Sequence, residues 1–137
     1  MAKAYLILTI ALFGALGALG RVYLGTFIQG LVPVYDSIRF PVGTLLVNVL
    51  GCLIFGYLGF LGHHHDILPP FWRTALLSGF LGSFTTFSTF SFETILLYED
   101  APYGKLYLAA ANILLNVTLG LGAILLGLQI GRLTTGN

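Results

Sequence analysis

The chain has 137 residues, of which 57% are hydrophobic and only 8% are charged, and its mean hydropathy is +0.94. Ordinary soluble domains carry about a quarter charged residues, so this composition predicts an integral membrane protein and excludes a separate soluble domain. The formal net charge of +1 provides no basic face for a nucleic-acid partner.

The first predicted helix runs from about Ala4 to Ile28. Seventeen uncharged residues separate Lys3 from Arg21, so Arg21 is expected within the span or at a vestibule rather than in a loop. The positive start and apolar stretch are similar to a signal peptide, but the three spans that follow favour a retained helix.

Three further apolar segments predict three more helices. They run from about Val42 to Leu61, from Phe71 to Tyr98 and from Lys105 to Arg132, each long enough to cross the hydrocarbon core. Glycines in the middle of the third segment favour a break there. We therefore expect an all-α membrane protein with one four-helix transmembrane domain over residues 1–137 and a broken third helix.

The basic residues are balanced between the two sides of this bundle. The terminal side holds three and the opposite side holds three: Lys3, Arg73 and Arg132 against Arg21, Arg39 and Lys105. Because the Lys and Arg bias of short loops sets orientation, a chain without bias predicts dual topology. Two oppositely inserted copies would then pair as an antiparallel homodimer, which supplies an inverted repeat in trans.

The stretch GSFTTFSTFSFE, from Gly82 to Glu93, interleaves hydroxyls with phenyl rings inside an apolar span. Polar side chains in a membrane are costly and usually face the bundle interior or a water-filled cavity. Asn48 on the second span, and Asn112 and Asn116 one turn apart on the fourth, add polar groups from two other helices. For each of these residues alone, packing or interhelical hydrogen bonding remains an alternative. Polar groups that converge from three helices on one path favour a conduit.

No residue pattern indicates an enzyme. The hydroxyls of GSFTTFSTFSFE have no histidine or lysine nearby in sequence that would activate a nucleophile. The cluster His63–Asp66 is expected to be a solvated loop, because consecutive residues lack the spread of ligands that a structural zinc site uses. Cys52, the single cysteine, cannot form an intrachain disulfide and is expected to act as a small hydrophobe.

Three motifs resemble the CrcB or Fluc family of bacterial fluoride channels: GALGR at 17–21, GTLLVNVLG at 43–51 and above all TTFSTFSFE at 85–93. The likeness covers all four spans. It implies a homodimeric, dual-topology channel in the bacterial plasma or inner membrane, surrounded by lipid. Through it fluoride would leave the cytoplasm passively, which protects the cell from fluoride toxicity.

The resemblance also implies roles for individual residues. The positions expected to line the pore and contact fluoride are Asn48, Thr86, Phe87, Ser88, Thr89, Phe90 and Asn116. The positions expected in the vestibule and polar track are Arg21, Thr44, Glu93 and Asn112. Backbone carbonyls of Gly82 and Thr85 would hold a structural sodium ion at the dimer interface. The family often has tyrosine or serine where this chain has Asn112 and Asn116.

Two other functions fit parts of the sequence. A small dual-topology exporter would use Glu93 to couple protons to cationic compounds, but such exporters carry their acid in the first span, which here holds Arg21. A membrane assembly subunit would use glycine and asparagine for packing alone. That function leaves unexplained why hydroxyls and phenyl rings alternate between Gly82 and Glu93.

Overall fold

The computed structural model describes residues 2–33, 39–64, 67–99 and 106–136, and these form helices joined by short non-helical segments, with no strand among them. The elements are α1 (Ala2–Leu31), α2 (Val42–His64), α3 (Pro70–Thr74), a π-helical segment (Ala75–Leu81), α4 (Gly82–Phe84), α5 (Phe87–Glu99) and α6 (Leu106–Thr135). The prediction of an all-α protein is confirmed.

The helices α1, α2 and α6 are long and apolar enough to cross a membrane. Their outer faces expose many large apolar side chains: Leu12 is 67% exposed, Phe27 65% and Leu125 66%. Soluble proteins rarely expose so large an apolar surface to water. Lipid is the medium in which this surface is stable. The chain is a multi-pass membrane protein.

The third apolar segment consists of several helical pieces. Pro70 lies in the first turn of α3, where its missing N–H is not needed. The π-helical segment and α4 continue to Phe84, and α5 begins at Phe87. Between them Thr85 and Thr86 are not helical, and Thr85 has an extended backbone, with φ −81° and ψ 156°. These two residues are called the interruption below.

Close helix packing depends on glycine. In the most extensive helix pair, α2 with α6, Gly56 abuts the carbonyl of Ile124 and Gly127 abuts the carbonyl of Leu53. The helix α1 packs on the π-helical segment where Gly17 meets the Phe80 carbonyl. Small residues let backbones approach in a membrane, where no hydrophobic force draws helices together.

The described helices extend beyond their predicted ends. The helix α1 reaches Leu31 rather than Ile28, and α2 reaches His64 rather than Leu61. The predictions assumed spans that match the hydrocarbon core, whereas a helix continues past the core until the backbone is interrupted. The predicted start at Lys105 and the residues His65 and Asp66 lie outside the described part of the chain.

Candidate functional site

Asn48 on α2 satisfies both backbone groups of Thr86 at the interruption. Its Oδ1 accepts from the Thr86 N–H over 2.9 Å, and its Nδ2 donates to the Thr86 carbonyl over 3.2 Å. Backbone groups freed at membrane depth need such partners, because lipid offers none. The side chain of Asn48 therefore stabilises the non-helical backbone between α4 and α5.

Thr86 in turn caps the start of α5. Its Oγ1 accepts from the backbone N–H of Thr89, three residues on, over 3.2 Å, which is the usual geometry of an N-cap threonine. The same Oγ1 donates to the Thr89 hydroxyl over 3.0 Å and lies 3.4 Å from the Ser88 hydroxyl. Three of the predicted hydroxyls thus form one cluster at this helix start.

These bonds leave two carbonyls without the donors that a continuous helix would give them. The N–H of Thr86, four residues after Gly82, donates to Asn48 instead. The N–H of Thr89, four residues after Thr85, donates to the Thr86 hydroxyl. Gly82 is exposed and Thr85 half-buried, so the carbonyls of both residues are candidates for an oxygen-seeking ligand.

A chain of side-chain hydrogen bonds connects Asn48 to α6 and back to α5. The amide Nδ2 of Asn48 donates to Asn116 Oδ1 over 3.1 Å, and Nδ2 of Asn116 donates to Asn112 Oδ1 over 3.0 Å. Asn112, which is fully buried, donates to the Thr94 hydroxyl over 2.8 Å. Thr94 was missed as a site residue, although it lies on the same helical face as Phe87 and Phe90.

A cavity of about 380 Å³ opens where this network meets the interruption. Asn48 and Asn116 contribute its polar wall, and the rings of Phe87 and Phe90, with centroids 5.7 Å apart, lie opposite hydrophobic residues of α2 and α6. The remaining lining residues are Gly51, Cys52, Phe55, Thr85, Thr86, Val117 and Ile124. Phe87 is 79% exposed, so the cavity is incomplete on its side.

A second cavity, of about 370 Å³, lies between α1, α2 and α5. Its polar and charged lining residues are Arg21, Thr26, Gln29, Arg39, Thr44, Thr86, Thr89 and Glu93. Thr44 donates to Glu93 Oε1 over 2.8 Å, while Glu93 Oε2 has no hydrogen-bond partner within the described residues. Arg21 donates through Nε to the Ser83 carbonyl over 3.2 Å.

The structure brings most of the predicted site residues to these two cavities. Thr86 belongs to both walls, so both cavities reach the interruption. Asn112 lies behind the wall, and Ser88 and Gly82 are exposed outside both linings. Gln29 was missed by sequence reasoning; it donates to the Phe40 carbonyl and fixes the start of α2.

A multi-pass helical protein with polar groups gathered between two intramembrane cavities has the architecture of a transport protein. Comparison with known families matches residues 8–128 to the family described as CrcB-like protein, Camphor Resistance (CrcB). The chain belongs to this family, which confirms the resemblance of its motifs.

Several curated relatives are similar over nearly the whole chain. A protein of Thermococcus kodakarensis named Fluoride-specific ion channel FluC is 44% identical over 91% of this chain and 94% of its own length. Proteins of the same name from Syntrophotalea carbinolica and Nitratidesulfovibrio vulgaris are also 44% identical, over 90% and 93% of this chain and 94% and 97% of their own lengths.

Proposed function

We propose that the protein is a fluoride-selective channel, not an enzyme, that lets fluoride leave the cytoplasm passively and so protects the cell. The names of its relatives support this function. The observation that carries it is the position of Thr86 in the walls of both cavities.

The lining chemistry suits a small, strongly hydrated anion. A selective pore must replace the hydration shell with donors. The amide of Asn48 and the hydroxyls of Thr86, Ser88 and Thr89 lie near the interruption, and Asn116 lines the same cavity as Asn48. Phe87 and Phe90 supply rings whose edges are electropositive. Apolar walls around these groups disfavour a larger halide, which fits them less well.

The other cavity fits the role of a vestibule. Arg21 and Arg39 in its lining raise the local concentration of anions. The carboxylate of Glu93 accepts a hydrogen bond from Thr44, and Asn112, which bonds Thr94 and Asn116, belongs to the proposed polar track. We place the entry of the anion here.

We propose that the working unit is an antiparallel homodimer of four-span chains, each forming one domain over residues 1–137. Phe87, Ser88 and Gly82 are exposed on the monomer at the interruption, and a second copy would cover them better than lipid. The interruption would be the break of the third span. Labelling a cysteine at the C-terminus from outside sealed vesicles tests the topology: half of the copies should react, and all or none would contradict it.

The carbonyls of Gly82 and Thr85 fit a structural sodium ion. Hard cations prefer oxygen ligands, and both carbonyls lack their usual helical donors because Asn48 and Thr86 take them. Two copies would together offer four oxygens. A sodium ion bound there would supply a fixed positive charge between the chains.

Purified protein in liposomes loaded with potassium fluoride tests the function. With a potassium ionophore present, we expect rapid fluoride efflux and no comparable efflux from liposomes loaded with chloride. Proton-coupled uptake of an organic cation, with no fluoride efflux, would instead support an exporter that uses Glu93. If the liposomes show neither fluoride efflux nor cation uptake, an assembly subunit would be favoured.

A further inference from the structure

The hydrogen bonds around Asn48 run in one direction from end to end. The Thr86 N–H donates to Asn48, Asn48 to Asn116, Asn116 to Asn112 and Asn112 to Thr94. The Thr94 hydroxyl closes the series by donating to the Phe90 carbonyl over 2.7 Å. Every member is a donor to the next.

The two ends of the series fix the orientation of every amide in it. A backbone N–H can only donate and a carbonyl can only accept, so Asn48 must turn Oδ1 to Thr86, and Thr94 must point its hydrogen at Phe90. Reversing Asn116 would place its amino group against that of Asn48. The side of Asn116 that faces Asn48 is therefore its carbonyl oxygen, an acceptor.

Both amide hydrogens of Asn48 are engaged in this arrangement. One goes to the Thr86 carbonyl at 3.2 Å and the other to Asn116 Oδ1 at 3.1 Å. These are longer than the bonds deeper in the series, at 2.7 to 3.0 Å. An anion in the cavity that both asparagines line reaches the Asn48 amino group only by replacing one of these acceptors.

We infer that Asn116 Oδ1 is a stand-in acceptor, which holds an Asn48 amide hydrogen while the path is empty and which the permeating anion displaces. This inference rests on the proposed channel function. Displacement exchanges one acceptor for another, so Asn48 is never left with an unpaired buried donor. Asn112 and Thr94 are positioning residues: they keep the Asn116 oxygen turned toward Asn48, and Thr94 lines neither cavity.

The sign of the effect distinguishes this role from a structural one. In Asn116→Leu the empty path leaves one Asn48 donor unpaired, which raises the free energy of the empty state and favours anion binding. We expect the fluoride concentration at half-maximal flux to fall about tenfold, with a lower maximal flux because release is slower. Damaged folding alone would lower maximal flux without tightening binding.

Thr94→Val and Thr94→Ser form a matched pair away from the path. Valine removes the acceptor for the Asn112 side chain and so loosens one of the two bonds that hold the Asn116 amino group, the other being to the Asn112 backbone carbonyl. The half-saturating concentration should then fall about threefold, whereas serine keeps the hydroxyl and should behave as wild type. Thr118→Val is the control, because Thr118 is exposed on α6 and its hydroxyl donates to the Leu114 carbonyl of its own helix.

The experiment measures fluoride flux against fluoride concentration in liposomes for these variants, each checked for a single size-exclusion peak. The inference would be overturned if the wild-type protein conducts fluoride but the half-saturating concentration is unchanged or raised in both Asn116→Leu and Thr94→Val. If Asn116→Leu does not fold, Thr94→Val decides alone. A wild-type protein that passes no fluoride would overturn the proposed function instead.

Discussion

Thr44 and Glu93 join the start of α2 to the middle of α5 through a 2.8 Å hydrogen bond from hydroxyl to carboxylate. It is the one hydrogen bond that the Glu93 side chain makes within the described residues, since Oε2 has no partner there. The position of this acid in the cavity lined by Arg21 and Arg39 therefore depends on Thr44.

Replacing Thr44 with valine should reduce fluoride flux about tenfold. The carboxylate loses its donor and is free to turn toward Arg21, where it opposes the entry of an anion; one charge-bearing hydrogen bond is worth about this much. Thr44→Ser retains the hydroxyl and should keep wild-type flux in the same liposome assay. Equal flux in the valine and serine variants would show that this bond has no part in conduction.

Asn48→Asp should nearly abolish conduction. Aspartate still accepts from the Thr86 N–H, but it cannot donate to the Thr86 carbonyl or to Asn116, and it adds a negative charge where the anion passes. Leaving the half-buried Thr86 carbonyl unpaired also destabilises the interruption. Efflux measured on folded, monodisperse protein tests the role, and undiminished flux would refute it.

Phe87→Ile and Phe90→Ile should each lower fluoride flux without changing the size-exclusion profile of the protein. Isoleucine keeps an apolar wall but removes the electropositive ring edge. Phe92→Ile is the matched control, because Phe92 is 64% exposed on the same helix and lines neither cavity. If the three variants lose flux equally, or none does, the rings at 87 and 90 have no special role.

Gly127→Ala should destabilise the fold by about 1–3 kcal/mol, because the added methyl group would overlap the Leu53 carbonyl on α2. Gly122→Ala makes the same change on α6 where nothing lies within 4 Å. Thermal unfolding in detergent compares the two. We expect a lower midpoint temperature of unfolding for Gly127→Ala but not for Gly122→Ala. Equal midpoint temperatures would count against close α2–α6 packing.

The sequence predicts the parts of the fold that depend on local composition. Apolar runs longer than the hydrocarbon core predicted α1, α2 and α6, and the motif around Thr86 predicted the family. The interruption after Phe84 is different, because its position depends on Asn48, which lies 38 residues away in sequence and takes both backbone groups of Thr86.

The hydrogen bonds that link Asn48, Asn116, Asn112 and Thr94 also depend on contacts between helices, which the sequence does not reveal. Asn112 and Asn116 were recognisable as polar outliers one turn apart, but the role of Thr94 was not, since its partner Asn112 belongs to another helix. A threonine inside a helix commonly bonds the carbonyl four residues back, and Thr94 does so as well. Only the packing of α5 on α6 reveals its second bond.

The reversal potential of the current in planar bilayers tests the central claim most directly. With a tenfold fluoride gradient, equal chloride, protons and cations on both sides, and an impermeant anion that balances the charge, we expect reversal at the equilibrium potential of fluoride. We expect no shift when chloride alone is made unequal by exchange for the same impermeant anion. Reversal that follows the proton or cation gradient, or the absence of any fluoride current, would contradict it.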